Sequence, residues 1–294
     1  MTLPLLSLLL AAGGTMPHSE DIIAPGASLQ LLANGFGFTE GSISDHKGNV
    51  YFTDQPNNRI LRWNVDGTII EWMKPAGRSN GMWFDHKGNL ITCADENNQL
   101  WKISPTQQST VLIHDYKGEL LNGPNDVWVR PDGGMYITDP LYARNYWTRD
   151  PAVQTGTENV FFLSKDYKVL KPVDTSMKKP NGIIGTPDGK TLYVSDIDSN
   201  VTYKYRMGLD GSLLDKTEFC RFGSDGMTMD EEGNVYCTGH GVTVFNKEGR
   251  QIEHIAVPEA WVGHVAFGGR DHRMLFVAAS HGIYGLKMRV RGAY

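Results

Sequence analysis

The chain reads as all-β, a six-bladed β-propeller of four-stranded antiparallel blades with its ring closed by an N-terminal strand. Three observations predict this. A turn-and-strand unit recurs along the sequence, its copies lie 39 to 56 residues apart, and the last copy is one strand short while an unassigned strand precedes the first. A period in the forties with several short strands per unit is the mark of a propeller.

The unit is first seen as Asp45-His-Lys-Gly48-Asn-Val-Tyr-Phe-Thr-Asp54 and next as Asp85-His-Lys-Gly88-Asn-Leu-Ile-Thr-Cys-Ala-Asp95. Arg130-Pro-Asp-Gly133-Gly-Met-Tyr-Ile-Thr-Asp139 and Thr186-Pro-Asp-Gly189-Lys-Thr-Leu-Tyr-Val-Ser-Asp196 follow. Then come Asp230-Glu-Glu-Gly233-Asn-Val-Tyr-Cys-Thr-Gly239 and a degraded copy from Gly269 through Arg273-Met-Leu-Phe-Val-Ala-Ala-Ser280. Asp-Gly and Lys-Gly supply the positive φ that tight turns need. The first unit parses into strands 41–44, 50–53, 60–64 and 68–73, and Arg59-Ile-Leu-Arg-Trp-Asn64 shows the two-residue alternation of a half-buried strand. The last unit offers only 264–267, 274–278 and 282–288, so Ser28-Leu-Gln-Leu-Leu-Ala33 is expected to complete it and remove two open edges. The longest interval, from Arg130 to Thr186, puts extra chain at 140–157. Its Tyr142, Arg144, Tyr146 and Trp147 suit a lid over the channel mouth, or else a surface loop packed on its own aromatics.

Composition narrows the function. The 294 residues are 40% hydrophobic and 21% charged, an ordinary globular balance. A net charge of −5 with no basic run argues against a nucleic-acid surface. The three cysteines, Cys93, Cys220 and Cys237, are far apart and show no C-x-x-C spacing, which argues against a zinc site or a disulfide framework and for core packing. Residues 3–12 form an apolar run of signal-peptide length, too short to span a bilayer, with no Lys or Arg before it. Residues 1–20 are therefore expected to be a signal peptide or an N-terminal extension, and 21–294 one propeller domain. The protein would be periplasmic or secreted in the first case and cytoplasmic in the second.

Five residues before each copy of the unit stand Glu40, Asn80, Asn125, Asn181, Asp225 and His264. Equivalent positions of a repeat occupy equivalent places in space, so these six are expected to meet at the mouth of the central channel, at the starts of the innermost strands. Two carboxylates, three amide oxygens and one imidazole suit one hard divalent cation, Ca²⁺ first, with Zn²⁺, Mn²⁺ or Mg²⁺ as alternatives. The two carboxylates would repel one another without it. Such an ion polarises a carbonyl or phosphoryl oxygen, and a neighbouring carboxylate takes a proton from water. No nucleophile elbow or catalytic cysteine is expected to compete, so metal-assisted hydrolysis of a small molecule leads.

At these residues the chain resembles the family of gluconolactonase, senescence marker protein and luciferin-regenerating enzyme. The likeness runs through Glu40-Gly41, Asn122-Gly-Pro-Asn125-Asp126, Thr138-Asp139-Pro140, Pro180-Asn181-Gly182 with Pro187-Asp-Gly189, Ser224-Asp225-Gly226 and Val265-Ala-Phe-Gly-Gly269. It implies a six-bladed propeller with one Ca²⁺ or similar ion that hydrolyses sugar lactones to aldonic acids. It further implies that Glu40, Asn181 and Asp225 hold the metal and that Asn125 touches metal or substrate. Asp225 would pass the proton, with Asp126 beside the substrate as a second carboxylate. Asn80, Asn125, Tyr142, Arg144, Trp147 and His264 are candidates for binding the sugar lactone. Three positions depart from the family pattern: Gly123 where some members carry Arg, no Glu in the third-blade loop before Glu158, and His264 where bacterial relatives often have Asn. The alternatives are a phosphotriester hydrolase on the same ion and a non-enzymatic ligand-binding propeller.

Overall fold

The computed structural model describes residues 22–294; the expected signal peptide lies outside the described residues. Twenty-four strands form six four-stranded antiparallel sheets. The first blade is β2 (Thr39–Ser44), β3 (Val50–Asp54), β4 (Arg59–Trp63) and β5 (Ile69–Met73). The second is β6 (Ser79–Phe84), β7 (Leu90–Ala94), β8 (Gln99–Ile103) and β9 (Ser109–Ile113). In the third, β10 (Val127–Val129), β11 (Met135–Asp139), β12 (Asn159–Leu163) and β13 (Leu170–Asp174) follow. The fourth holds β14 (Pro180–Gly185), β15 (Thr191–Asp196), β16 (Val201–Met207) and β17 (Leu213–Cys220). The fifth holds β18 (Met227–Met229), β19 (Val235–Gly239), β20 (Gly241–Phe245) and β21 (Gln251–Ile255).

The sixth blade takes β22 (Val262–Gly268), β23 (Met274–Ala279) and β24 (Gly282–Lys287) from the C-terminal end, and β1 (Gln30–Asn34) pairs antiparallel with β24 as its outer strand. The first and last strands of the described residues are thereby tied into one sheet. Residues beyond β24 run over the far ends of the inner strands: Ala293 N–H donates to Met229 O (3.0 Å), and Tyr294 meets Trp83 edge-on at 4.8 Å.

The middle strands of each blade are buried and pack on those of the next. Phe52, Leu61 and Trp63 of the first blade meet Phe276, Ala278 and Ile283 of the sixth, which is how the closing strand comes to support the first blade. The three cysteines are free and buried, as core packing requires.

The threonine and the aspartate that recur at the ends of second strands have separate mechanical uses. The hydroxyl ties down the inner strand: Asp126 N–H donates to Thr138 Oγ1 (3.0 Å), and Gly226 N–H to Thr238 Oγ1 (2.7 Å). The carboxylate clamps the loop that enters the blade. Asp54 Oδ1 accepts from the Gly37 and Phe38 amides, Asp139 from those of Asn122 and Gly123, and Asp196 from those of Lys178 and Lys179.

The sheet-closing role of β1 predicts that deleting residues 28–34 abolishes a single cooperative thermal transition. A deletion variant that melts like the intact protein would refute it.

Candidate active site

The inner strands are bent where they pass the axis. In four of them the register with the second strand shifts within the segments 40–43, 79–82, 180–183 and 262–264, which is how a bulge re-aims a side chain. A glycine follows most of the axial residues. Gly41 has φ +51°, and a Cβ there would overlap the Asn80 carbonyl of the next blade. Gly81 N–H donates to Asn125 O at 2.8 Å, again blade to blade. The neighbouring backbones touch, and the side chains just before the glycines are drawn to one place.

Two of the six begin outside regular strand. Asn125 and Asp225 lie just ahead of the short β10 and β18, and their amides bond across to the second strand at Thr138 O (2.9 Å) and Thr238 O (3.3 Å). The sequence had placed all six at strand starts.

A cavity of about 550 Å³ opens at this end of the channel. Glu40, Asn80, Asn125 and Asp225 form its floor and wall together with Tyr142 and Arg144 of the long third-blade loop. Phe38, Pro56, Ile197 and Trp261 give it an apolar side, and Gln55 and Asp198 complete it. Asn181 is buried beside it: its Nδ2 donates to Asp225 Oδ1 and to Tyr142 Oη, both at 2.9 Å. Trp261 Nε1 donates to Asp225 Oδ2 at 2.6 Å. Each oxygen of Asp225 thus has one fixed donor. A larger cavity, about 790 Å³, lies between the first two blades on the opposite face and contains none of the six axial residues.

Glu40 and Asp225 are buried together. Burial, then the charge of Asp225, pushes the Glu40 carboxyl well above the usual range, against the Gly41 N–H that it accepts at 3.0 Å. Burial also raises Asp225, opposed by the Trp261 and Asn181 donors. The Oδ1 atoms of Asn80 and Asn181 are buried and accept no hydrogen bond. Two adjoining carboxylates and two orphaned amide oxygens are what a hard cation would satisfy, so the residues present fit one. No group of three or more His, Cys, Asp and Glu side chains is placed to hold a metal ion by itself among the described residues. A cation here would therefore need the amides as well as the acids.

His264 and Asp126 sit elsewhere than in the cavity wall. His264 Nε2 faces Asp126 Oδ2 at 3.6 Å, and its Nδ1 lies 3.2 Å from Ser42 Oγ. Asp126 accepts Val127 N–H at Oδ1 (2.9 Å) and Ile183 N–H at Oδ2 (3.2 Å), so both oxygens are occupied by the backbone. The pair joins opposite blades under the floor. Trp147 is likewise absent from the wall: its indole donates to Asp95 O (2.8 Å) and carries the Arg149 guanidinium on its face at 4.0 Å. It also fills the space at Gly123, where a Cβ would lie 3.2 Å from the indole, so the family's Arg has no room there. Tyr142 and Arg144 do reach the cavity, as a lid would.

The sequence missed Trp261, Phe38, Ile197 and Asp95. The first three lie outside the repeated turn-and-strand units. Asp95 was visible as the last residue of a repeat unit, but its partners were not. The sequence also contains one spelling of a nucleophile elbow, Gly77-Arg-Ser79-Asn-Gly81. Ser79 is buried in β6, followed by no helix, and its hydroxyl donates to Ala76 O at 2.6 Å, so it is a structural serine.

The model of the SMP-30/Gluconolactonase/LRE-like region matches residues 38–281. The gluconolactonase of Zymomonas mobilis is 26% identical, over 94% of this chain and 85% of that protein. Lactonase drp35 of Staphylococcus saprophyticus is 23% identical over 67% of this chain and 75% of its own. A gluconolactonase structure from Xanthomonas campestris superposes with a TM-score of 0.84 at 25% identity, covering 93% of each chain. Regucalcin of Agrobacterium tumefaciens, a calcium-binding protein, gives a TM-score of 0.73 at 19% identity over 90% of this chain and 95% of its own, a likeness of fold.

The crowding at the axis predicts the effect of one methyl group. A Cβ at Gly263 would lie 2.7 Å from Glu40 Oε1 and 2.8 Å from Thr39 O. Gly263→Ala should lower stability by about 1–3 kcal/mol in denaturant titration. No loss would mean that the inner strands tolerate separation.

Proposed function

The chain belongs to the SMP-30/gluconolactonase/LRE-like family, and from that premise we propose that it hydrolyses a sugar lactone to the open aldonic acid with one divalent cation in the channel. The observation that carries the reading is the buried pair Glu40 and Asp225 beside the unpartnered oxygens of Asn80 and Asn181, at the bottom of a cavity of about 550 Å³. Glu40, Asn181 and Asp225 would hold the cation, with Asn125 as a fourth contact to it or to substrate. Ca²⁺ is favoured because every donor is a hard oxygen. When bound, the ion would supply Lewis acidity toward the lactone carbonyl and offset the two carboxylate charges.

The chain's own residues do the rest. Asp225 takes the proton from the attacking water as the new C–O bond forms at the carbonyl carbon. It returns that proton to the ring oxygen as the ring C–O bond breaks, so the leaving group departs as a hydroxyl. The fixed donors Trp261 Nε1 and Asn181 Nδ2 keep the carboxylate from rotating between the two transfers. Tyr142, held by Asn181, and Arg144 face the substrate from the lid, while Phe38, Pro56, Ile197 and Trp261 give one face of the sugar ring an apolar support. Asp126 and His264 act by position: their buried pairing ties the segment that carries Asn125 to the inner strand of the sixth blade.

Two outcomes are expected. In a pH-stat assay on gluconolactone, Asp225→Ala should lower kcat by about 10²- to 10⁴-fold while keeping the native far-ultraviolet spectrum. Unchanged turnover, or cleavage of a chromogenic phosphotriester in preference to the lactone, would replace the reading. Chelated protein should gain about 2.7 kcal/mol of stability when Ca²⁺ is restored to a hundred times its Kd. Glu40→Gln should lose most of that gain, and an equal gain in both proteins would remove Glu40 from the cation site.

A further inference from the structure

Asp54, Asp139 and Asp196 each end a second strand and clamp the loop entering their own blade, whereas the second blade has Ala94 at that place, and Asp95 follows it at the start of the turn Asp95–Asn97. In the second blade that duty has passed to Asn58, whose Oδ1 accepts the amides of Ala76 (2.9 Å) and Arg78 (2.8 Å). Asp95, only 2% exposed, is thereby free for other partners. All of its side-chain partners reach it from outside its own blade. Its Oδ2 accepts Arg144 Nε at 2.8 Å, Tyr146 Oη at 2.7 Å and Gln55 Nε2 at 3.3 Å, and its backbone oxygen accepts Trp147 Nε1 at 2.8 Å. One buried carboxylate of the second blade is the mooring of the third-blade loop.

Only the inner nitrogen of Arg144 is used in this mooring. Its two Nη groups make no hydrogen bond within the described residues, and Arg144 lines the cavity next to Gln55, Asn80 and Asn125. A guanidinium offers donors and no acceptor, so what its free edge can bind in the cavity is an oxygen acceptor. Charge selects among them. Asp95 pairs with Arg144, and Lys179 Nζ pairs with Asp198 at 3.3 Å, while a divalent cation would balance Glu40 and Asp225. The loaded cavity then carries no surplus positive charge to reward an anion.

We propose that Asp95 is a positioning residue that aims the free edge of Arg144 into the cavity, and that Arg144 thereby selects neutral polyhydroxylated lactones by bonding their ring hydroxyls. The proposal rests on the lactonase reading and names its substrate class. Asp95 itself touches no substrate. It acts by fixing the guanidinium plane, and a lysine at 144 would keep the charge but lose the fork that uses one edge for Asp95 and the other for the sugar.

The test uses full-length protein loaded with Ca²⁺ and two non-hydrolysable probes, gluconolactam and δ-valerolactam, which share the ring amide and differ in hydroxyls. Calorimetric titration is run on wild type, Arg144→Gln, Asp95→Asn and the double variant. The wild type should bind gluconolactam more tightly, and Arg144→Gln should shrink that preference about 10- to 100-fold, as expected for hydrogen bonds to a charged group. Asp95→Asn should shrink it in the same direction, and the double variant should be no worse than Arg144→Gln, because Asp95 works only through Arg144. The ratio of kcat/KM for gluconolactone over δ-valerolactone should fall in parallel. Additive losses in the double variant, an equal loss for both lactams, or tighter binding of gluconate than of gluconolactam would overturn the proposal. If Asp95→Asn does not fold, Tyr146→Phe takes its place, and an unchanged preference in that variant would dissolve the mooring. Arg144-dependent lactam binding with no lactone turnover would sink the lactonase reading alone.

Discussion

Everything at the axis depends on how closely the six inner strands approach one another. Strands of separate, face-packed sheets ordinarily keep their side chains between them. Here glycines after the axial residues let backbone meet backbone from blade to blade, as with Gly81 N–H on Asn125 O at 2.8 Å. The space that a Cβ would need is occupied by a neighbouring carbonyl or side chain at Gly41, Gly81, Gly182, Gly226 and Gly263. That crowding buries Glu40 beside Asp225. The electrostatic cost of the pair is thus a consequence of the packing, and relief by a cation is the function that the packing makes available.

The ring closure sets the stage for this approach. A propeller with a loose sixth blade would let the first and last inner strands drift apart. β1 on β24 prevents that, and the apolar cluster of Phe52, Trp63, Phe276 and Ile283 carries the restraint to the first blade. Thr138 and Thr238 then lock the inner strands of the third and fifth blades, and Asp54, Asp139 and Asp196 hold the incoming loops of the first, third and fourth. Stability and site geometry therefore share the same hydrogen bonds.

Much of this was legible because repetition converts sequence register into spatial register. The turn units located the second strands to within a residue or two, and the offset of five residues found the axial side chains. The incomplete last unit and the spare strand before the first foretold the closure. The offset could not distinguish depth. Asn125 and Asp126 are adjacent in sequence, yet one faces the cavity and the other lies beneath it, bonded to Val127 and Ile183 amides, because successive side chains of an extended segment point opposite ways. Composition marked the third-blade loop as unusual but could not say that Trp147 fills the place beside Gly123 while Arg144 reaches inward. Such contacts arise between blades and leave no periodic trace. Asp95 shows the limit most clearly. It stands one residue past Ala94, which holds the place that Asp54, Asp139 and Asp196 take in their blades, so the repeat carries no information about its partners.

The central claim is that a divalent ion is caged where the inner strands converge. Crystals of chelated protein soaked in Mn²⁺ and measured at the manganese edge test it directly. The account predicts one anomalous peak on the axis, with oxygens of Glu40, Asn181 and Asp225 at about 2.1–2.4 Å from it. A channel without a peak, or a single peak in the groove between the first two blades on the opposite face, would contradict it.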